Sequence, residues 1–229
     1  MKRIRLGDVI VLIVVVVAAV AIAMWSGAFG PRRATTTDVP ASKVRDQLEQ
    51  LEVRGFVDAP EYFREEFGEP WADVDNNGCD TRNDILARDI DKAIFRGPCI
   101  VDAGILSDPF SGQTIYFERG EKTSPLVQID HVVPLSNAWY AGAWQWDLAT
   151  RERFANDPQN LLAVSGAANQ DKGNLSADQW LPENKDYHCA YVARQIHVKA
   201  TWGLSVTEAE RQAMIDVLAD CPVVEVPKG

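Results

Sequence analysis

Apolar and polar positions change their spacing several times along this chain, and each change marks an element. From Val9 to Trp25 all seventeen residues are apolar. Lys2, Arg3 and Arg5 precede the run, and Ser26, Gly27 and Ala28 follow it. A cationic start, an apolar stretch and small residues form the layout of an export segment. The run is short for a membrane span and slightly long for a signal-peptide core. Residues 1–28 therefore read as a signal peptide or a signal anchor. The cations hold the N-terminus inside, so the rest is expected outside the cell, touching the membrane only if the segment stays uncleaved. Residues 29–40 mix Pro, Thr and charge without a period and read as a linker.

Beyond the linker, Val44, Leu48 and Leu51 fall at helical spacing and predict a helix over Ser42–Arg54, with Ser42 as N-cap. A short helix is expected over Tyr62–Phe67, and a longer one from Thr81 to about Asp91. Cys99–Leu106, Gln113–Phe117 and Leu126–His131 read as strands, with a turn over residues 108–112. Pro134 can open a helix that would carry Trp139, Ala143 and Trp146. A polar stretch with Arg151 and Arg153 leads to a turn at Asn156-Asp157-Pro158. Leu161–Val164 is a short strand, and Ala167–Asp171 starts a helix that Gly173 interrupts. Helices over Lys185–Thr201 and Thr207–Ala219 follow, separated by Gly203. Short strands among more numerous helices predict one α+β domain over residues 41–229.

Charge narrows the partners. The net charge of −10 argues against a sequence-independent nucleic-acid coat. It leaves open an enzyme that meets nucleic acid through a local patch or a metal ion. Four cysteines are present, Cys79, Cys99, Cys189 and Cys221, none in a CxxC pair, which argues against a zinc ribbon. Outside the cell they would pair. Of three possible connectivities, Cys79–Cys99 with Cys189–Cys221 is preferred, because each bridge closes a local loop worth roughly 3 kcal/mol.

The candidate chemistry gathers between Gln128 and Asn174. Asp130 and His131 close a strand, Asn160 opens the next apolar run, and Asn169 and Lys172 follow on the next segment. A carboxylate for a hard cation, an imidazole base and neutral amide oxygens are what metal-assisted phosphodiester hydrolysis requires. Neighbours on a regular strand face opposite ways, so Asp130 and His131 can share a site only where the strand ends, as Pro134 suggests. Upstream, Asp73, Asp75, Asn77 and Asp84 fall at ligand positions of a calcium loop, with Asp in place of the usual final Glu. The simpler reading of the same residues is an Asx-rich turn capping the next helix. His188 and His197 read as helix residues outside the chemistry, Trp180 as a packing residue, and Arg82 as either an ion-pair or a substrate contact.

At Ile129-Asp130-His131-Val132-Val133-Pro134, Asn160-Leu161-Leu162-Ala163-Val164 and Ala167 to Gly173 the chain resembles the HNH, or His-Me finger, nucleases. The flanking segments, including Asn77 to Asp89, the turn at residues 108–112 and Trp180 to Glu183, resemble secreted actinobacterial members related to the C-terminal nuclease domain of GmrSD-type restriction enzymes. The resemblance implies a ββα-metal core over about residues 126–174, embedded in a mostly helical domain. It implies His131 as general base, Asp130 and Asn169 as ligands of Mg²⁺ or Mn²⁺, and Asn160 as a strut. Lys172 is then either a phosphate contact or a solvated surface residue. The substrate would be nucleic acid, with DNA preferred to RNA, and the protein a monomer. A catalytically weak HNH-derived binding module of the envelope is the alternative. A calcium-stabilised envelope domain would rest on the Asp73 loop alone.

Overall fold

The computed structural model describes Ile13, Val15 and Val17, residues 32–55 and residues 57–226. The chain divides into two units, residues 1–33 and residues 34–229. The expected export or anchor segment lies outside the described residues, apart from Ile13, Val15 and Val17. Among the described residues no helix is long and apolar enough to cross a membrane.

The second unit is a mixed α+β domain. Helix α1 (Lys43–Gln50) starts where Ser42 Oγ accepts the Arg45 amide, and it buries Val44 and Leu48. It ends four residues before the expected Arg54. There the backbone of Glu52 and Arg54 instead bonds Val206 on a distant segment, at 2.9 and 2.8 Å. Helix α2 (Thr81–Asp89) is capped by Asp80, whose carboxylate accepts the Asn83 amide at 2.8 Å. Strands β1 (Asp91–Arg96), β2 (Ile100–Ser107) and β3 (Thr114–Glu118) form an antiparallel sheet in that order. Strand β1 was not expected. It is an edge strand with Ile94 and Phe95 exposed, so it lacks the alternation that marks a half-buried strand. Asp108 shapes the turn between β2 and β3 by accepting the Phe110 and Ser111 amides.

A second, two-stranded sheet pairs β4 (Val127–His131) with β5 (Leu161–Ser165), antiparallel, with His131 opposite Leu161. Between them run α3 (Leu135–Tyr140) and α4 (Leu148–Ala155). The single helix expected to carry Trp139, Ala143 and Trp146 breaks at Gly142, which takes φ 134°. The polar stretch around Arg151 is itself helical: Asp147 caps it, and Phe154 anchors it in the core. Helix α5 (Gly166–Lys172) follows β5 directly and stops at Gly173, φ 50°. Helices α6 (His188–Trp202) and α7 (Glu208–Ala219) complete the unit, with Gly203 left-handed between them.

Helix α6 lies at the centre of the largest apolar cluster, with Tyr191, Val192, Ala193 and Ile196 fully buried. A second cluster is aromatic, joining Phe67, Trp139 and Phe154. A third packs α2 on β2, β4 and β5 through Leu86, Val101, Val127 and Leu161. The site sits where the second and third meet the end of β4. Disulfides join Cys79 to Cys99 and Cys189 to Cys221, the preferred pairing. The second ties the start of α6 to the segment after α7. Replacing Cys189 and Cys221 together by Ser is expected to lower unfolding stability by about 3 kcal/mol, read from urea melts of purified protein. An unchanged midpoint would refute this.

Candidate functional site

The site is built on the end of β4. Past His131 the chain leaves the ladder, and two backbone amides lose their strand partners. Asn160 replaces them. Its carbonyl accepts the Val132 amide at 2.8 Å, its Oδ1 accepts the Val133 amide at 2.8 Å, and its Nδ2 donates to Val133 O at 3.2 Å. Asn160 is fully buried, so both ends of its amide are used on one residue of backbone. Pro134, which has no amide to satisfy, continues the chain into α3.

This bend lets neighbouring side chains serve one place. Tyr62, Arg64, Asp130, His131, Asn169 and Asn174 all line a cleft of about 190 Å³. His131 Nε2 lies 2.8 Å from the Ala155 carbonyl oxygen. A carbonyl can only accept, so Nε2 carries the proton and Nδ1 keeps the lone pair. The ring stacks on Trp71, with centroids 6.1 Å apart and planes within 10°. Burial pulls the imidazole down to about 4, helped by the positive charges of Arg64 and Lys172 and opposed by the bond to Ala155. The ring is therefore neutral at neutral pH, the form that can accept a proton.

Asp130 is buried, and its Oδ1 accepts from Lys172 Nζ at 2.7 Å. Lys172 Nζ also donates to the His131 carbonyl oxygen at 2.8 Å. Burial pushes the Asp130 carboxyl up, against the pull of this ammonium. Oδ2 is buried without a hydrogen-bond partner. Lys172 departs from both expected roles, phosphate contact and solvated surface: its side chain has no exposed area. A long cation at the end of α5 is drawn inward because the buried carboxylate would otherwise lack a counter-charge.

Asn169, one turn before Lys172, donates Nδ2 to Gln128 Oε1 at 2.8 Å, which leaves its amide oxygen as the end open to a ligand. Asp130 Oδ2 and Asn169 Oδ1 are hard oxygen donors, a set that fits Mg²⁺ or Mn²⁺ better than a soft-ligand metal. Among the described residues no three His, Cys, Asp or Glu side chains converge as a metal group. Arg82 is not among the cleft residues; it donates to Val127 O at 3.2 Å, tying α2 to the start of β4. His188 and His197 stand away from the cleft, bonding Pro182 O and Gln47. Trp180 packs on Phe110 and Tyr191.

The loop with the calcium-like spacing closes on itself. Asp73 accepts the Asn77 and Gly78 amides, Asp75 accepts from Asn77 backbone and side chain, and Asn77 Oδ1 accepts the Cys79 amide. Burial first, then the nearby carboxylates of Asp75, Asp80 and Asp73, push Asp84 up, against a bond from Asn77. The stretch with that spacing forms an Asx turn network leading into the Asp80 cap of α2. Tyr62, Arg64, Trp71 and Asn174 had no place in the sequence-based site. The aromatic density of residues 62–71 hinted at the first three, and Asn174 closes the stretch that carries the candidate chemistry.

A bent strand end thus brings carboxylate, imidazole and amide onto one cleft. The chain belongs to the family of the C-terminal domain of GmrSD restriction endonucleases, which matches residues 81–217. It is also 36% identical over 190 residues to an uncharacterized secreted protein of Arthroderma benhamiae, covering 82% of this chain and 89% of that protein. No solved structure gives a significant match. Replacing Asn160 by Ala strands a buried amide and a buried carbonyl of Val133, so a loss of about 2–4 kcal/mol is expected, read by denaturant unfolding. A loss below about 0.5 kcal/mol would show that the clamp does not hold the bend.

Proposed function

We propose that residues 41–229, following an export segment over 1–28 and a linker over 29–40, form a divalent-metal-dependent endonuclease with its core at about residues 126–174. The observation that carries this reading is the meeting of His131, Asp130 and Asn169 on one cleft, with the His131 lone pair left on Nδ1. The family's name supports nucleic acid as substrate, and DNA before RNA. The two disulfides and the secreted relative support an extracellular location. The protein is read as a monomer.

In this reading His131 Nδ1 takes the proton of the water that attacks phosphorus. The Ala155 carbonyl and the Trp71 ring hold the imidazole in the tautomer and plane the step needs. Asp130 and Asn169 would hold one Mg²⁺ or Mn²⁺, which would supply charge neutralisation at the leaving 3′-oxygen and a phosphate oxygen. Asn160 keeps the β4 bend that brings Asp130 and His131 to the same cleft. Lys172 holds the Asp130 carboxylate and the His131 carbonyl in place, so its part is positioning rather than substrate contact.

One observation favours a second reading, an HNH-derived module that binds polyanion without turnover: Asp130 Oδ1 is already held in a buried ion pair. Incubation of the purified chain with plasmid DNA and with RNA, in Mg²⁺, Mn²⁺ or chelator, separates the two. Metal-dependent nicking supports the nuclease, whereas retention of nucleic acid with no product supports the module.

His131→Ala is expected to lower cleavage by roughly 10²–10⁴ while fold and metal affinity persist. Wild-type turnover by the folded variant would exclude His131 as the base. Asp130→Ala and Asn169→Ala are expected to raise the metal concentration needed for half-maximal activity, more for the carboxylate than for the amide, with excess metal restoring part of the Asn169→Ala loss. An identical metal titration for both variants and the wild type would remove them as ligands.

A further inference from the structure

The family match begins at residue 81, yet three of the groups around His131 lie upstream of it: Tyr62, Arg64 and Trp71. Arg64 is the single cation among the described residues lining the cleft. Lys172, the other candidate, is withdrawn into its ion pair.

Arg64 is held rather than merely nearby. Its Nη1 donates to the Gly68 carbonyl oxygen at 3.0 Å, across the 3-10 turn Arg64–Phe67. Gly68 takes φ 71°, and a Cβ there would stand 2.9 Å from Glu152 Oε1, so this close approach to α4 suits glycine. Phe67 is fully buried, with ring centroids 6.2 Å from Trp139 and 6.0 Å from Phe154. Arg151 donates to Glu66 O at 2.5 Å and to Glu66 Oε2 at 3.0 Å. Trp139 Nε1 donates to Pro60 O at 2.7 Å. Residues 60–68 are therefore pinned along α3 and α4.

A guanidinium has five N–H donors in a planar fork. One bond to Gly68 leaves Nε and Nη2 without a partner among the described residues, on a half-buried side chain at the cleft. Trp71 adds a second sign of a built site. It takes φ 61°, costly for a bulky residue, while its ring stacks on His131.

We infer that residues 60–71 complete the site, and that Arg64 is its phosphate-binding residue, gripping a non-bridging oxygen of the scissile phosphodiester through its unengaged N–H groups. This rests on the nuclease reading above. An Arg fork matches phosphate geometry where a lysine offers a point charge. The chain carries a net charge of −10 and the cleft contains a buried carboxylate, so a fixed cation beside the imidazole offsets the repulsion of a polyanion.

The test uses the full chain at saturating Mg²⁺ or Mn²⁺, with Arg64→Gln, Arg64→Ala and Arg64→Lys beside the wild type. Arg64→Gln keeps a donor for the Gly68 carbonyl but drops the charge, so it preserves the turn if Arg64→Ala fails to fold. The expected result is a fall in kcat/KM of about 10²–10³ for Arg64→Gln, with part regained in Arg64→Lys and the metal titration unchanged. The slope of log kcat/KM against log salt should shrink by about 0.7–0.9, one phosphate contact. A merely structural arginine would not move that slope. Full activity of folded Arg64→Gln, or lost activity with an unchanged slope, overturns the assignment of Arg64 alone. A wild-type chain that cleaves no nucleic acid overturns the nuclease reading and this one together.

Discussion

The Lys172 ammonium sits where the organisation of the site converges. It bonds the Asp130 carboxylate and the His131 carbonyl oxygen at once, from the last turn of α5. One buried cation thereby fixes helix to strand and gives the buried Asp130 carboxylate its counter-charge. The cost of stranding one member of such a pair is on the order of 3–5 kcal/mol, comparable with a large part of a domain's whole stability. The pair is thus as much a folding element as a chemical one. Asn160 works on the same few residues from the other side, using its amide on Val133, so the end of β4 is held in a bend by two buried polar groups rather than by ladder bonds.

Division of labour follows from that frame. The segment from β4 to α5 supplies imidazole, carboxylate and amide, and the segment 60–71 covers them with Tyr62, Arg64 and Trp71. The cover is fastened through an aromatic cluster of Phe67, Trp139 and Phe154 and through Arg151, which lies over the Trp139 ring. Large rings suit this task because they bury much area on few rotatable bonds. Disulfides fasten the two peripheral regions, the loop before α2 and the α6–α7 end.

With 23 Lys and Arg against 33 Asp and Glu the chain is acidic, and where its cations sit decides the charge of the cleft. Of those expected to meet substrate, Lys172 is turned inward, and Arg82 lies outside the cleft lining with one donor on the Val127 carbonyl. Both are drawn toward buried acceptors, since an unpaired acceptor in the interior costs more than a surface contact returns. Among the described residues lining the cleft the cation is Arg64, half-exposed and bonded to the Gly68 carbonyl through one corner of the guanidinium.

Much of this was legible in the sequence. Ser42 and Thr207 as helix starts, Gly173 and Gly203 as stops, the strands at β4 and β5 and both disulfide pairings are local matters, set by side chains bonding or closing loops with near neighbours. The order Asp130, His131, Asn160, Asn169 also identified the family before any coordinate. What the sequence could not determine were features whose reason lies far along the chain. The edge strand β1 pairs with β2 without burying a regular face. Helix α4 looked polar because only its last two residues, Phe154 and Ala155, are buried. The fate of Lys172 depended on a carboxylate 42 residues away. The cover over His131 came from a segment with no periodicity of its own, positioned by rings on α3 and α4. Local propensity writes elements into sequence, whereas the burial of a charge and the choice of which loop meets which cleft are decided only when remote surfaces pack together.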